Sequence, residues 1–347
     1  MFTVMFRVVL SMGKNKISIK DIATKAGVSV ATVSRVINNK GKYSEETRER
    51  VLKIIEEYDY TPDMTAKALR IKRQQAIGVI LPEVTNELFA TITLEIQEQL
   101  FDLGYTTMIF NTSYRTEYAQ RYSEMLKAQN VSGVICVYDR QTDIANYPEQ
   151  IPLVYIGYDP KIKMRRENFA EVYVDLAHAS WMVTNTLITK GCRKILYMSN
   201  WLKKEEGVSE RFIGFKRAME ENDLNIDKRL LVDVDSTGSN SAYQAITMLI
   251  ESGIEFDGVA CNSDQAAAGA IFALNAHNLR VPEDVKVIGF DNMSISRHFM
   301  PSISSIEMRP ELQSKYAVEC MMAMINGNTL DKTKHIVPPE IILREST

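Results

Sequence analysis

Apolar residues recur along this chain in two rhythms, and the change between them falls near residue 75. Before it the spacing is helical. From Ser18 to Ala26 the apolar positions Ile19, Ile22, Ala23 and Ala26 recur at helical spacing behind Ser18, which can cap the helix, with Asp21 near its positive end. Gly27 stops that helix. Ser29 can cap a second helix, Val30 to Asn38, with Val33, Val36 and Ile37 facing inward and Thr32, Ser34 and Arg35 turned elsewhere. A third helix starts at Ser44, carries Glu45 and Glu46 in its first turn and presents Val51, Ile54, Ile55 and Tyr58 as a stripe. Three short helices with a tight turn between the first two predict a helix-turn-helix unit. Pro62 suits the first position of one more short helix through Ala66, Ala68 and Leu69, and the basic run Arg70, Lys72, Arg73 closes the region.

Beyond Gln75, apolar runs alternate with amphipathic segments. Strands are predicted at 76–81, 106–110, 133–137, 153–157, 172–175, 194–199, 230–234, 258–261 and 285–290, and helices at 88–103, 117–129, 176–190, 210–222, 240–252 and 264–278. Repeated βα alternation implies doubly wound parallel sheets. So many strands exceed one comfortable sheet, which predicts two lobes with a break around residues 155–175.

A chain of 347 residues, 45% hydrophobic, is long enough for two or three compact units. Charge sharpens the division, because residues 1–73 carry a net +7 and the remainder a net −10. A basic head on an acidic body points to a polyanion met by the head alone, against the alternative of an ordinary solvated basic surface. Cys136, Cys192, Cys261 and Cys320 lie far apart with no metal-ligand spacing. Buried, reduced thiols in a cytoplasmic protein are expected rather than disulfides. The apolar start MFTVMFRVVLSM is interrupted by Arg7, is too short to span a membrane and has no cleavage site, so residues 1–16 read as a disordered leader or an upstream start ahead of Met12. No membrane association, metal or cofactor is expected.

The segment IKDIATKAGVSVATVSRVINNKGKYSEETRERVLKIIEEYDYTPDMTAKALR resembles the DNA-binding head and hinge of LacI/GalR regulators over its whole length. Gly104-Tyr105, Val174-Asp175, the arginine of SERFIGF, SDQAAAGAI, VPEDVKVIGFDN and the final strand HIVPPEIILREST extend the resemblance to the C-terminus. It implies an all-α helix-turn-helix DNA-binding head over 17–61 and a hinge helix and linker over 62–74. Residues 75–347 would form an α/β periplasmic-binding-protein-like core of two doubly wound parallel-sheet lobes. The partners implied are a double-stranded DNA operator, a small sugar-like effector and a second copy of the chain.

In such relatives the second helix lies in the major groove. Val30 and Ala31 then occupy the base-reading positions behind Ser29, where an apolar pair suits thymine methyls. Arg35 can fork onto a guanine edge, and Thr32, Ser34 and Asn38 are short enough to reach phosphates or bases. Leu69 matches the hinge leucine that wedges into the minor groove, although Asp63 follows Pro62 where the family usually has Asn. At the effector cleft the resemblance places Asn86 and Phe89 on one wall, Arg211, Ser263 (where many relatives carry Asn) and the carboxylate of Asp291. Planar bidentate groups beside an aromatic face suit a polyol ring. Glu87 replaces a usual Pro, Gly157 an Asp and Met308 a Gln, which leaves fewer polar anchors than in plain sugar sensors.

Two other classes fit worse. A transporter's solute-binding protein would share the core but has no use for the head. An enzyme lacks support, since no G-x-G-x-x-G, P-loop or G-x-S-x-G follows a strand and the four histidines are scattered. Within the regulator class, the alternative is a protein answering to a corepressor or a partner protein.

Overall fold

The structure, a computed structural model, describes residues 17–37, 41–58, 60, 75–138, 147–148, 150–157, 167–199, 209–234 and 238–347, in two compact units divided between Arg73 and Gln74. The leader expected over 1–16, the hinge expected over 62–74, and with them Asn38 and Leu69, lie outside the described residues.

The first unit comprises α1 (Ile19–Ala26), α2 (Val30–Ile37) and α3 (Glu45–Glu57). Each starts where a hydroxyl takes up free helix N–H groups. Ser18 and Asp21 form a reciprocal capping box, Ser29 Oγ accepts from Thr32 N at 3.1 Å, and Ser44 Oγ accepts from Thr47 N at 3.3 Å. Gly27 closes α1 in the left-handed region at φ 65°. Ile22, Val33 and Val51, one from each helix, are fully buried and gather Ala23, Ala26 and Val36 around them. Tyr58, expected on the inner stripe of α3, is instead 41% exposed, with Lys25 Nζ donating to its Oη at 3.0 Å. The helix ends at Glu57, so the register that would turn Tyr58 inward stops short of it.

The second unit opens with β1 (Ala76–Leu81), α4 (Glu87–Asp102), β2 (Thr106–Asn111), α5 (Thr116–Ala128), β3 (Gly133–Val137), β4 (Leu153–Ile156) and β5 (Phe169–Val174). It continues through α6 (Leu176–Thr189), β6 (Ile195–Ser199), α7 (Glu210–Glu221), β7 (Leu231–Asp233), α8 (Ser239–Glu251) and β8 (Gly258–Ala260). Next come α9 (Asp264–Ala276), β9 (Lys286–Ile288), the short α10 (Ser294–His298) and β10 (Ser305–Glu307). The chain ends with α11 (Pro310–Ile325), β11 (Lys334–Val337) and β12 (Glu340–Ile342).

Six strands pair in the order β11-β5-β4-β3-β1-β2 and four in the order β7-β6-β8-β9, all parallel, while β10 and β12 form an antiparallel pair. Crossover helices cover both faces, which is why β1, β3 and β4 are buried throughout and read as continuous apolar runs. The expected pair of doubly wound lobes is present. Its division falls at the far end of the predicted window, because β5 stays in the first sheet and the chain leaves only at Asp175, whose carboxylate caps α6 by accepting from His178 N at 2.8 Å.

Beyond the short α10 and β10, neither of them predicted, two larger features depart from the pattern reading. No helix was predicted over α11, whose Ala317, Val318, Cys320, Met321 and Met324 are buried against α4 and the first sheet and leave no clean amphipathic stripe. The final strand is two strands in different lobes: β11 extends the first sheet beside β5, Pro338 and Pro339 have no N–H to continue a ladder, and β12 pairs with β10. Among the described residues the chain thus passes between lobes at Asp175, at Met308–Arg309 and at Pro338–Pro339.

At the centre of the second lobe Asp264 is fully buried, its Oδ2 accepting from Met293 N at 2.6 Å and its Oδ1 from Ser305 Oγ at 2.5 Å. Gly289 leaves room for it, since a Cβ there would collide with Asp264 Oδ1. Burial pushes this carboxyl up from 3.8 to about 8, against the pull of its hydrogen bonds. The folded protein therefore keeps a proton that the unfolded chain has released, so stability from this group is full below about pH 4 and is lost as pH rises through about 8. Asp264→Asn, which keeps the shape without ionising, is expected to flatten the decline of melting temperature across that window. An unchanged slope in scanning calorimetry would contradict this.

Candidate functional site

In the head, α2 is held by one side only. Val33 and Val36 are buried, and Val30 and Ile37 are half-buried against the same cluster. The other side presents Ala31 and Arg35, both exposed, with Thr32 and Ser34 partly exposed between them. Ser29, beside them, bonds its hydroxyl to that of Thr32 at 2.9 Å in capping the helix. The predicted DNA-contacting residues from Ser29 to Arg35 thus share one helix, with Val30 divided between the core and the surface. Arg35 runs its stem past Gly41, where a Cβ would lie 3.2 Å from Arg35 Cδ.

In the second unit the predicted cleft residues come from the ends of strands and the starts of the helices after them. Asn86 caps α4, its Oδ1 accepting from Phe89 N at 3.2 Å. Phe89 stacks on Tyr138 with ring centroids 5.4 Å apart. Tyr138, absent from the prediction, follows β3 at φ 53° and donates from Oη to Gln313 Oε1 at 2.9 Å. Gln313, buried on α11, in turn donates to Met308 O at 2.6 Å. Burial holds the Tyr138 hydroxyl well above the usual tyrosine range, with Asp291 adding to the shift and Arg211 opposing it. Those two charges belong to the second lobe, so the aromatic wall of the first lobe lies within their field.

Arg211, near the start of α7, holds its guanidinium 3.6 Å from the Phe290 ring centroid and donates from Nη1 to Asn262 O at 2.8 Å. Its Nη2 lies 3.8 Å from Asp291 Oδ1. Asp291 follows β9 at φ 92°, a conformation a non-glycine residue keeps only where its surroundings enforce it. Burial pushes its carboxyl up to about 6, with Arg211 opposing and Glu307 adding. Its Oδ1 has no hydrogen-bond partner. Ser263 caps α9, accepting from Ala266 N at 3.0 Å. Its neighbour Asn262, also absent from the prediction, is buried with neither side-chain amide atom hydrogen-bonded. The only sequence sign of Tyr138 and Asn262 is that each closely follows an apolar strand run, GVICV and GVAC.

Glu87, which stands where a proline was expected, joins the lobes. Its Oε1 and Oε2 accept from Ser294 N and Ser294 Oγ, both at 2.8 Å, tying the start of α4 to the start of α10. Among the described residues no cluster of His, Cys, Asp and Glu is arranged to hold a metal, and no helix is long and apolar enough to cross a membrane.

Comparison with known proteins agrees with this layout. Residues 18–63 match the family described as bacterial regulatory proteins, lacI family, and residues 184–347 match the periplasmic binding protein-like domain. The transcriptional regulator RegA of Clostridium saccharobutylicum is 31% identical over 331 residues, covering 95% of this chain and 99% of its own. The ribose operon repressor of Halalkalibacterium halodurans is 29% identical, covering 95% and 97%. Among solved structures, a lac repressor dimer bound to operator and the anti-inducer ONPF superposes with a TM-score of 0.81 at 22% identity, covering 96% of this chain and 99% of that one. A complex of the transcriptional regulator CelR with cellobiose does so with a TM-score of 0.68 at 26% identity, covering 95% and 100%. With 31% identity to RegA sustained along nearly the full length, and the lacI-family match preceding the periplasmic binding protein-like match, the chain belongs to the LacI family of DNA-binding transcriptional regulators.

Proposed function

We propose that this regulator is a homodimeric, cytoplasmic repressor whose affinity for a double-stranded operator is set by a small sugar-like effector held between the lobes. One observation supports the reading: Tyr138, stacked on Phe89 in the first lobe, lies within the electrostatic field of the Arg211–Asp291 pair of the second. A ligand there touches both lobes, so its affinity depends on how they are arranged, and only such differential affinity lets it shift that arrangement.

In this reading Asn86, Phe89, Arg211, Ser263 and Asp291 hold the effector, and residues 75–347 sense it. Residues 17–61 bind DNA through Ser29, Val30, Ala31, Thr32, Ser34, Arg35 and Asn38, and Leu69 in the 62–74 hinge wedges the minor groove. The cellobiose-bound regulator and the ribose operon repressor support a sugar. A second copy fits the exposed apolar residues Phe101 on α4 and Ile109 on edge strand β2, and Met248 and Phe272 on α8 and α9. Two copies bring two heads to two half-sites.

Arg35→Ala is expected to weaken specific operator binding by about 1–3 kcal/mol and leave nonspecific DNA binding nearly intact, as gel shift on both DNAs reads out. Equal losses on both would make Arg35 a phosphate contact. Ionised Asp291 accepts ligand hydroxyls more strongly than the protonated acid does, so effector affinity should fall as pH drops through about 6. Asp291→Asn should bind effector weakly at every pH while still binding operator. Calorimetric titration that finds the same pH profile in the variant would remove Asp291 from the site.

A further inference from the structure

The ladder of β8 runs past its last residue, Ala260, since Cys261 N donates to Ile288 O at 2.9 Å. Alternation along this extension sets Val259 and Cys261 into the cluster shared with α8 and α9, and Ala260 into the cluster that holds Tyr197 and Phe215. Asn262 therefore falls on the α7 side, where Arg211 Nη1 holds its carbonyl. The residue is only 6% exposed, and neither Oδ1 nor Nδ2 has a hydrogen-bond partner. Asp291 Oδ1, 3.8 Å from the other terminal nitrogen of the same guanidinium, is also buried and without one. Native proteins satisfy nearly all buried polar groups because each orphan lowers stability. Three orphaned atoms, on two residues that Arg211 contacts, are the donor and acceptors of a site built for something else to complete.

Their chemistry restricts what that is. Arg211 is already engaged by the Asn262 carbonyl, the Phe290 ring and the Asp291 carboxylate, so it offers an anion no uncompensated charge. A carboxamide presents one donor side and one acceptor side, and each hydroxyl of a polyol can meet either. The hydroxyl of Ser263, the neighbour at the expected site position, is held in the α9 cap.

We propose that Asn262 is a specificity-determining residue of the cleft, its carboxamide donating to one hydroxyl and accepting from the next on an uncharged polyol, with Asp291 Oδ1 accepting from a third. This rests on the reading of the cleft as an effector site and narrows the effector to a neutral polyhydroxy compound.

The test is calorimetric titration and thermal shift on the full-length protein with ribose, glucose and cellobiose, and with ribose 5-phosphate and glucose 6-phosphate. A neutral sugar should bind the unaltered chain. Asn262→Ala and Asn262→Asp should each weaken it about tenfold or more, while ligand-free Asn262→Ala melts no lower than the parent because an orphaned amide has gone. A structural asparagine would behave oppositely, with a lower melting temperature and sugar affinity retained, and that result overturns the proposal. So does preferential binding of the phosphorylated sugars, or full affinity in Asn262→Asp. Binding of none of the five to the parent protein refutes the effector site itself rather than the part assigned to Asn262.

Discussion

A strand paired in parallel must be re-entered from the same end as its neighbour, so the chain needs a crossover between strands and every strand of a sheet releases it at one edge. That geometry gathers this protein's chemistry. β1 leads to Asn86 and Phe89, β3 to Tyr138, β6 to the helix that carries Arg211, β8 to Asn262 and Ser263, and β9 to Asp291. Residues spread over some two hundred positions of sequence meet because each follows a strand end. The passages at Asp175, Met308–Arg309 and Pro338–Pro339 then let each lobe supply one wall.

The cleft is kept at a cost to stability. Asp291 holds a left-handed backbone, its carboxyl is raised by burial, and the Asn262 amide is buried without partners. A site optimised for the free protein alone would replace these groups with apolar ones. What holds them is the surrounding frame: the Arg211 guanidinium over Phe290, Tyr138 fixed through Gln313 to Met308, and Asp264 knitting α9 to β10 and the loop before α10. Glu87 adds a bridge to Ser294 on the outside, where solvent weakens it. Such a bridge can bias the lobes without locking them.

Local rules made most of the fold legible. Ser18, Gly27 and Ser44 announce the head's helices because caps act within one turn, and buried parallel strands stand out as unbroken apolar runs. The parts missed depend on distant partners. α11 is buried too broadly to show a stripe, and the terminal run divides only because its two halves pair in different lobes. Resemblance supplied Arg211 and Asp291, which the structure brings together. It did not supply Tyr138 or Asn262, whose importance lies in a stacking partner and in unmet hydrogen bonds, and spacing along the chain records neither.

Coupling between cleft and operator is tested most directly by reading lobe arrangement and DNA affinity in one sample. Val84 and Met300 are exposed, one in each lobe, and Cys136, Cys192, Cys261 and Cys320 are all buried, so cysteines introduced at those two positions would take fluorophores selectively. Energy transfer between them and operator anisotropy can then be followed as an uncharged sugar that binds is titrated in. If the effector acts by shifting the lobes, both signals change with the same midpoint, and Asp291→Asn moves both midpoints together. A change in operator affinity with no change in interlobe distance, or a change in distance that leaves operator affinity where it was, would contradict it.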